Sequence, residues 1–349
     1  MAVVTWDGSA STSAATDANW DTGTAPDATS DVVIPDTSAI NRPEIVADVT
    51  WNSLTIQANA EFAGNTSYTL TLDGEADGTG ATTNGYAVHM AGNGAIGTDI
   101  NLAITTAGTT LLHLVAASGT VRNFTYNASG RTAQWVGNTT ISGDLAVTAG
   151  TLQPSSAANT LTVTGDVSIA SGGTLNDGSG SGAYSFGSLT IASGGTYSAT
   201  SGTTTITGEA SSYALKNDGT FTHNNGLVVF DFAAHTLVKN NTFYDLELNM
   251  DASSWELAFS DTSGNAVDIL GDLTITQGTY DTLTTSDTHT IHGNTHIAAN
   301  GLFFATPDHD TNKIIHHGLV TNLGTYKIND GTTVKMNGGI RQLGTLTIA

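Results

Sequence analysis

The chain of 349 residues contains no cysteine, so no disulfide framework can stabilise its fold. Basic residues are scarce: 9 lysines and arginines stand against 31 aspartates and glutamates, and no lysine occurs before Lys216. The resulting net charge of −22 repels nucleic acids and anionic membranes, which argues against both as partners. The sequence also lacks the run of about 20 apolar residues that a transmembrane helix requires. Stability must therefore come from stacked apolar side chains and backbone hydrogen bonds.

The first residues lack the features of a secretory signal peptide. The segment from Met1 to Trp6 has no basic residue, and Asp7 and Gly8 follow before any apolar stretch of the required length. We therefore expect a chain that folds without Sec export and leaves the cell by lysis, as virion proteins of bacteriophages do. A bacterial surface protein trimmed of its leader would begin in the same way, and that alternative stays open.

What the sequence has in abundance is a repeat of about 22 residues. The pattern Gly-Asp-Leu-Ala-Val at 143–147 recurs in similar form at 165–169, 187–191, 271–275 and 293–297. A shorter signature of glycine, threonine and an apolar residue trails the copies, at Gly150, Gly173, Gly195, Gly219, Gly278 and Gly324. A fixed period of this length is typical of a solenoid, in which each repeat stacks on its neighbours.

Apolar and polar residues alternate inside each copy, which is the period of a β-strand and not of a helix. The sequence therefore predicts an all-β fold, a parallel β-helix (solenoid) with rungs of about 22 residues. Antiparallel meanders are the alternative, but they would not require so constant a period. Two sets of equivalent positions are predicted to form buried ladders: Leu145, Val167 and Leu189, and Val147, Ile169 and Ile191.

The repeat is not equally regular along the chain. We predict an irregular N-terminal cap over residues 1–48, because an open solenoid end exposes strand edges and apolar core. Residues 49–349 are predicted to form the β-helix, with the most regular repeats at 141–349. The sequence stops inside a repeat, at Leu346-Thr347-Ile348, so we expect this end to be covered by another chain, preferably in a homotrimer.

Several segments carry a resemblance to known proteins. These are Thr5-Trp6-Asp7-Gly8, Asn19-Trp20, Asp31-Val32-Val33-Ile34-Pro35, Asn52-Ser53-Leu54-Thr55-Ile56 and Gly271-Asp272-Leu273-Thr274-Ile275. They resemble the β-strand-repeat surface proteins found among bacterial adhesins and structural proteins of marine-type phages. The resemblance covers most of the chain, and its motifs are structural, so they specify the fold far better than the function.

The resemblance implies a non-enzymatic structural protein on the surface of a bacteriophage virion, as a fibre, spike or capsid decoration. Its role would be attachment or particle stabilisation, with other virion proteins, further copies of itself or a host surface glycan or protein as partners. The first alternative is a bacterial cell-surface adhesin or extracellular matrix filament. The second is a polysaccharide-degrading spike.

One acidic segment matches the start of a calcium loop. Asp73, Glu75 and Asp77 alternate before Gly78, as do the first oxygen ligands of an EF-hand before its sharp turn. The twelfth position is Asn84 and not the usual bidentate glutamate. Calcium is therefore the one candidate cofactor, with an acidic solvated turn as the alternative. A weaker run consists of Asp308, Asp310 and Asn312.

Two further groups of residues are candidate sites that we do not assign. Histidine side chains suit zinc or iron, but strand alternation places His292 and His296 on the polar side, so we interpret the group His289, His292, His296, His309, His316 and His317 as surface residues. Glycan hydrolysis needs two carboxylates at a defined separation, which could come from Asp231, Asp245, Glu247, Asp251 and Glu256. Acidic residues are so abundant that proximity by chance is expected, and no catalytic residue is assigned.

Overall fold

A computed structural model of the chain describes residues 1–38, 40–76, 85–97, 99–106, 110–112 (backbone only), 121–177, 180–239, 242–259, 267–282, 288–305, 313–329 and 332–348. The regular secondary structure in these ranges consists of β-strands, apart from one short 3-10 helix at Asp17–Asn19. The chain divides into two compact units. Unit 1 comprises Met1–Asp177 and Gly194–Tyr197, and unit 2 comprises Gly178–Ser193 and Ser198–Ala349.

The first fifteen strands belong to unit 1. They are β1 (Ala2–Thr5), β2 (Ser30–Ile34), β3 (Val49–Trp51), β4 (Ser53–Ile56), β5 (Glu61–Phe62), β6 (Thr69–Leu72), β7 (Gly85–Met90), β8 (Ala95–Ile96), β9 (Asn101–Ile104), β10 (Thr110–Leu112), β11 (Asn123–Trp135), β12 (Thr139–Ile141), β13 (Leu145–Pro154), β14 (Leu161–Ile169) and β15 (Gly173–Asn176).

The remaining strands belong to unit 2, except that β17 falls at the boundary. They are β16 (Tyr184–Ile191), β17 (Thr196–Ser198), β18 (Thr203–Ile206), β19 (Tyr213–Asn217), β20 (Thr220–Thr222), β21 (Leu227–Phe230), β22 (Thr236–Lys239), β23 (Thr242–Phe243), β24 (Asp245–Asn249), β25 (Glu256–Phe259), β26 (Val267–Ile269), β27 (Leu273–Asp281), β28 (Thr288–Ile291), β29 (Thr295–Ala305), β30 (Lys313–His316), β31 (Val320–Asn322), β32 (Thr325–Ile328), β33 (Thr333–Met336), β34 (Ile340–Gln342) and β35 (Thr345–Ile348).

Each unit is a parallel β-solenoid with rungs of about 22 residues, as the repeat predicts. In unit 1, Leu145 pairs in parallel register with Val167, and Val147 with Ile169. The same column extends backwards through Phe124, and all of these side chains are buried. The predicted ladders are therefore confirmed within unit 1. Their unit 2 equivalents, Leu189 and Ile191, are buried as well, and Leu189 pairs with Leu215.

The first 48 residues also contribute strands to the solenoid of unit 1. Strand β1 pairs in parallel with β2, and β2 pairs with β4. Large aromatic rings fill the interior at this level: Trp6 and Trp20 meet edge to face at 5.0 Å, and Trp20 and Trp51 do so at 6.0 Å. The indole N–H groups of Trp6 and Trp20 donate to the carbonyl oxygens of Asn41 and Ala14, at 2.7 and 2.9 Å. The segment predicted as a cap therefore carries rung strands and a tryptophan core of its own.

The repeated Gly-Asp pair forms a corner at which a side chain of one rung hydrogen-bonds to the backbone of the next. In unit 1, Asn123 Oδ1 accepts the backbone N–H of Asp144 at 2.8 Å, and Asp144 Oδ1 accepts that of Asp166 at 2.9 Å. A Cβ atom on Gly143 or Gly165 would lie 2.2 Å from the accepting oxygen of the rung before. Glycine is therefore required because it leaves room for that oxygen. We call this series of contacts the Gly-Asp staircase.

Unit 2 contains a second Gly-Asp staircase with the same geometry. Asp245 Oδ1 accepts the N–H of Asp272 at 2.7 Å, and Asp272 Oδ1 accepts the N–H of Asn294 at 2.6 Å. Cβ atoms on Gly271 and Gly293 would lie 2.1 and 2.3 Å from these oxygens. The motif that defines the repeat is thus a backbone-capping device, and its carboxylates are already engaged.

Candidate functional site

The first two members of the predicted calcium loop differ in their exposure to solvent. Asp73 is exposed, and its backbone N–H continues the rung pattern by donating to the carbonyl oxygen of Trp51 at 3.1 Å. Glu75 is half-buried, and its Oε1 is sealed from solvent without a hydrogen-bond partner among the described residues. Burial raises the pKa of Glu75, while the positive charge of Arg131 opposes that rise. Asp77 lies outside the described residues, so calcium binding stays a prediction.

The weaker acidic run of Asp308, Asp310 and Asn312 also lies outside the described residues, as does His309. Across the ranges that the structure describes, no group of three or more histidine, aspartate or glutamate side chains is arranged to hold a metal ion. Nor do those ranges include a helix with the length and apolarity that spanning a bilayer requires.

Two of the candidate histidines lie on the surface of unit 2, as expected. His292 and His317 are exposed, and their rings stack at 5.2 Å with planes 13° apart. His292 Nε2 lies 3.8 Å from Asp268 Oδ1, a contact between half-exposed groups that contributes little. His296 is half-exposed. The surface interpretation is confirmed for His292 and His317.

The surface interpretation is wrong for His289 and His316, which are 1% and 0% exposed. His289 occupies a column of aliphatic side chains, between Val267 and Ile314, and His316 pairs with Ile291. The sequence contained the signal for both. Strand alternation places His289 on the same face as Ile291 two residues later, and His316 on the same face as Ile314 two residues earlier.

Each of the two buried histidines is hydrogen-bonded to a tyrosine, and ring packing joins the two sets into what we call the His-Tyr core: Tyr280, His289, Thr295, Phe303, His316 and Tyr326. The Tyr280 hydroxyl lies 2.9 Å from His289 Nδ1. His316 Nδ1 lies 2.8 Å from Thr295 Oγ1, and His316 Nε2 lies 2.9 Å from the Tyr326 hydroxyl. The rings of Tyr280, Phe303 and Tyr326 stack on successive rungs, at 4.9 and 4.7 Å.

Burial controls the protonation of the His-Tyr core. It lowers the pKa of His289 to about 3, against a hydrogen bond to the backbone of Thr282 that favours the protonated ring. Burial also lowers the pKa of His316 to about 4. The pKa values of Tyr280 and Tyr326 are raised well above the usual range for the same reason. All four groups are therefore neutral at pH 7.

A second titratable cluster in unit 2 contains one of the five candidate carboxylates. Glu256 shares a hydrogen bond with the carboxyl group of Asp281, which is 5% exposed. Burial raises the pKa of Glu256, the negative charge of Asp281 raises it further, and His235 opposes the rise. His235 Nδ1 lies 3.8 Å from Glu256 Oε2, and its ring meets that of Trp255 edge to face at 5.2 Å. Sequence reasoning missed Asp281, because no repeat or motif marks it.

The arrangement of these carboxyl groups favours proton sharing over glycan hydrolysis. Retaining and inverting glycosidases separate their two carboxyl groups by about 5–9.5 Å to admit a sugar or a water. Direct hydrogen bonding between Glu256 and Asp281 leaves no such space. Among the other candidates, Asp245 caps a backbone N–H in the Gly-Asp staircase, and Glu247 Oε1 accepts the hydroxyl of Thr276 at 2.7 Å.

An open groove of about 310 Å³ lies at the glycine corners of unit 2, lined by Ser253, Ala299, Asn300, Gly301, Leu302 and Thr325. Gly278 and Gly301 pair in register, and the N–H of Thr279 donates to the carbonyl oxygen of Trp255 at 2.8 Å. Trp255, Gly278 and Gly301 therefore occupy equivalent positions on three successive rungs, and the last two lack a side chain. The groove offers hydroxyl and amide groups beside the apolar surface of Leu302.

Comparison with known proteins identifies no relative of the chain. No protein-family model matches the chain, and no curated protein or solved structure matches it either.

Proposed function

We propose that this protein is a non-enzymatic structural protein of a bacteriophage virion surface, as a fibre, spike or capsid decoration, acting in attachment or particle stabilisation. The observation that carries the proposal is the continuous parallel register of buried ladders within each unit, such as Phe124, Leu145 and Val167. Stacked rungs of this kind make a stiff scaffold that holds loops at fixed positions. The Gly-Asp staircases add side-chain contacts between successive rungs.

The chemistry of the described side chains supports a structural role over a catalytic one. The buried histidines are satisfied by hydroxyl groups inside the core. The Glu256–Asp281 pair is too close for the water or sugar that a hydrolase must admit. A polysaccharide-degrading spike is therefore the least supported of the three candidates.

The groove of unit 2 is the surface best suited to contact with a host. Its polar lining and the apolar side chain of Leu302 fit a neutral glycan or a protein loop. A net charge of −22 disfavours polyanionic glycans. Several copies on one particle would raise avidity without strong single contacts.

Immunogold labelling of a lysed source culture tests this proposal. Antibodies against the purified chain should place gold on free virus particles in negative-stain images. Gold confined to cell envelopes or extracellular filaments would instead establish the adhesin or matrix alternative.

A second measurement distinguishes the polysaccharide-degrading alternative from the proposed structural role. The purified protein should release no reducing ends from capsule polysaccharide of the source host. Release that disappears in Glu256→Gln but persists in the surface control Glu247→Gln would overturn the non-enzymatic assignment.

A further inference from the structure

We propose that unit 2 contains an acid-triggered switch, in which protonation of His289 and His316 opens the His-Tyr core while unit 1 stays folded. This goes beyond the proposed function, because a display scaffold requires no response to pH. The two histidines are the group on which the inference rests, since each stands in a column that aliphatic residues fill on neighbouring rungs.

Among the described residues around His289, none compensates a positive charge on its ring. Phe259 on β25 meets its ring edge to face at 5.4 Å, and β26 and β30 contribute Val267 and Ile314 on either side. Strand β27 contributes the hydroxyl of Tyr280. The three carboxylates on these elements are engaged elsewhere: Asp268 is half-exposed beside His292, and Glu256 and Asp281 are hydrogen-bonded to each other.

His316 is enclosed in the same way. Phe303 on β29 meets its ring at 5.4 Å, and the hydroxyls of Thr295 and Tyr326 occupy both ring nitrogens. Ile291 and Met336 are its partners on the neighbouring rungs. The titratable group that contacts it is Tyr326, whose neutral hydroxyl cannot balance a charge. The lysines on the described strands β28 to β33 are Lys313, Lys327 and Lys335. Because they are positively charged, they would repel a protonated His316.

The hydrogen bonds of the core fit neutral imidazoles. His289 donates one ring N–H to the backbone of Thr282, which leaves Nδ1 to accept the Tyr280 hydroxyl. A proton on Nδ1 would set two donors against each other, and the hydroxyl hydrogen would have to turn into a sealed apolar interior. Burying an uncompensated charge among these rings is strongly unfavourable. Opening of the surrounding rungs to water relieves both problems.

The response is confined to unit 2 by the distribution of histidines. Within the described part of unit 1 the one histidine is His89, which is half-exposed. A half-exposed ring can be protonated without unfolding. The two buried histidines, His289 and His316, both belong to unit 2.

The direction and size of the response follow from linkage. The pKa values of both histidines are lower in the folded chain than the unperturbed value of about 6.5, so stability is complete above that pH and falls as the pH drops below it. At pH 5 each histidine should lower the folded-to-unfolded ratio of unit 2 by about 30-fold, and both together by about 1,000-fold. The loss of stability stops growing once the pH falls below the pKa values of the two histidines in the folded chain.

Hydrogen exchange of the full chain, read by mass spectrometry at pH 7 and pH 5, tests the switch. After correction for intrinsic exchange rates, protection of amides in β25 to β32 should fall at pH 5, while that of β1 to β14 should not change. The double variant His289→Gln and His316→Gln should lose this pH dependence, because glutamine keeps hydrogen-bonding groups and does not titrate. The matched surface control, His292→Gln with His317→Gln, should retain it.

Equal protection at both pH values in wild type would overturn the proposal, as would equal opening of both units or loss of the response in the surface control. If the core variant fails to fold, histidine-labelled NMR of wild type decides. Two imidazole signals should stay neutral down to the pH at which unit 2 opens, and reversible titration of all histidines near pH 6.5 without unfolding would refute the switch.

Discussion

Replacement of Gly165 by alanine should break one step of the Gly-Asp staircase in unit 1. The new methyl group would lie 2.2 Å from Asp144 Oδ1 and 2.8 Å from the carbonyl group of Gly143. The Asp144 side chain can rotate away, but it then loses its 2.9 Å hydrogen bond to the N–H of Asp166. The carbonyl group belongs to the backbone and can yield only if the rung shifts.

These two effects set the expected loss of stability. A hydrogen bond to a charged group contributes about 1.5–3 kcal/mol, and the lower end applies here because Asp144 is exposed. Overpacking against backbone costs about 1–3 kcal/mol. We therefore expect Gly165→Ala to lower the free energy of unfolding of unit 1 by about 2.5–4.5 kcal/mol.

Tryptophan fluorescence during urea unfolding is a suitable measurement, because four of the 5 tryptophans, Trp6, Trp20, Trp51 and Trp135, belong to unit 1. The control is Gly97→Ala in the same unit, where the nearest atom to a new Cβ is a carbonyl oxygen at 3.3 Å, so the loss should be clearly smaller.

A double-mutant cycle isolates the side-chain contact. Asp144→Ala alone should lose only the hydrogen bond, and the double variant Asp144→Ala with Gly165→Ala should cost less than the sum of the two single changes. Additive losses, or a Gly165→Ala variant as stable as wild type, would refute the explanation of the motif.

Three further predictions follow from packing, metal binding and assembly. Val167→Asp places an unpaired charge in the buried ladder of unit 1 and should lower the melting temperature strongly, whereas Ser168→Asp on the exposed face should not; equal losses would contradict the register. If Asp73, Glu75 and Asp77 bind calcium, a chelator should lower the melting temperature of wild type but not of Asp77→Ala, and an unchanged wild-type curve would favour the solvated turn. Light scattering at low concentration should give the mass of a homotrimer, and a stable monomer of 35.7 kDa would exclude that assembly.

Periodicity was sufficient to predict the class of fold, because stacking forces equivalent positions to stay apolar. Leu145 and Val167 could be paired from their spacing alone. Register elsewhere could not be predicted, because rungs vary in length: Leu54 pairs with Val88, across a long insertion. Spacing therefore identifies a ladder only where no loop has been inserted.

The candidate sites were less predictable, for physical reasons that differ between them. The buried positions of His289 and His316 follow from alternation, so that error was avoidable. The hydrogen bond between Glu256 and Asp281 was not foreseeable, because it joins two rungs at positions that no motif marks. The function of the repeated glycine was also hidden, since its reason is an oxygen atom on the preceding rung.

The Gly-Asp staircase has a direction, and the corners that it joins are therefore chemically alike. Each aspartate or asparagine of a staircase accepts from the rung after it, so each of these corners presents a side-chain oxygen to its successor and a backbone N–H to its predecessor. Excision of residues 144–165, one repeat of 22, would join Gly143 directly to Asp166, whose N–H would then meet Asn123 Oδ1. Loss of one whole repeat would therefore replace the corner contact with another of the same kind, so that a scaffold built in this way would change its length and keep its fold.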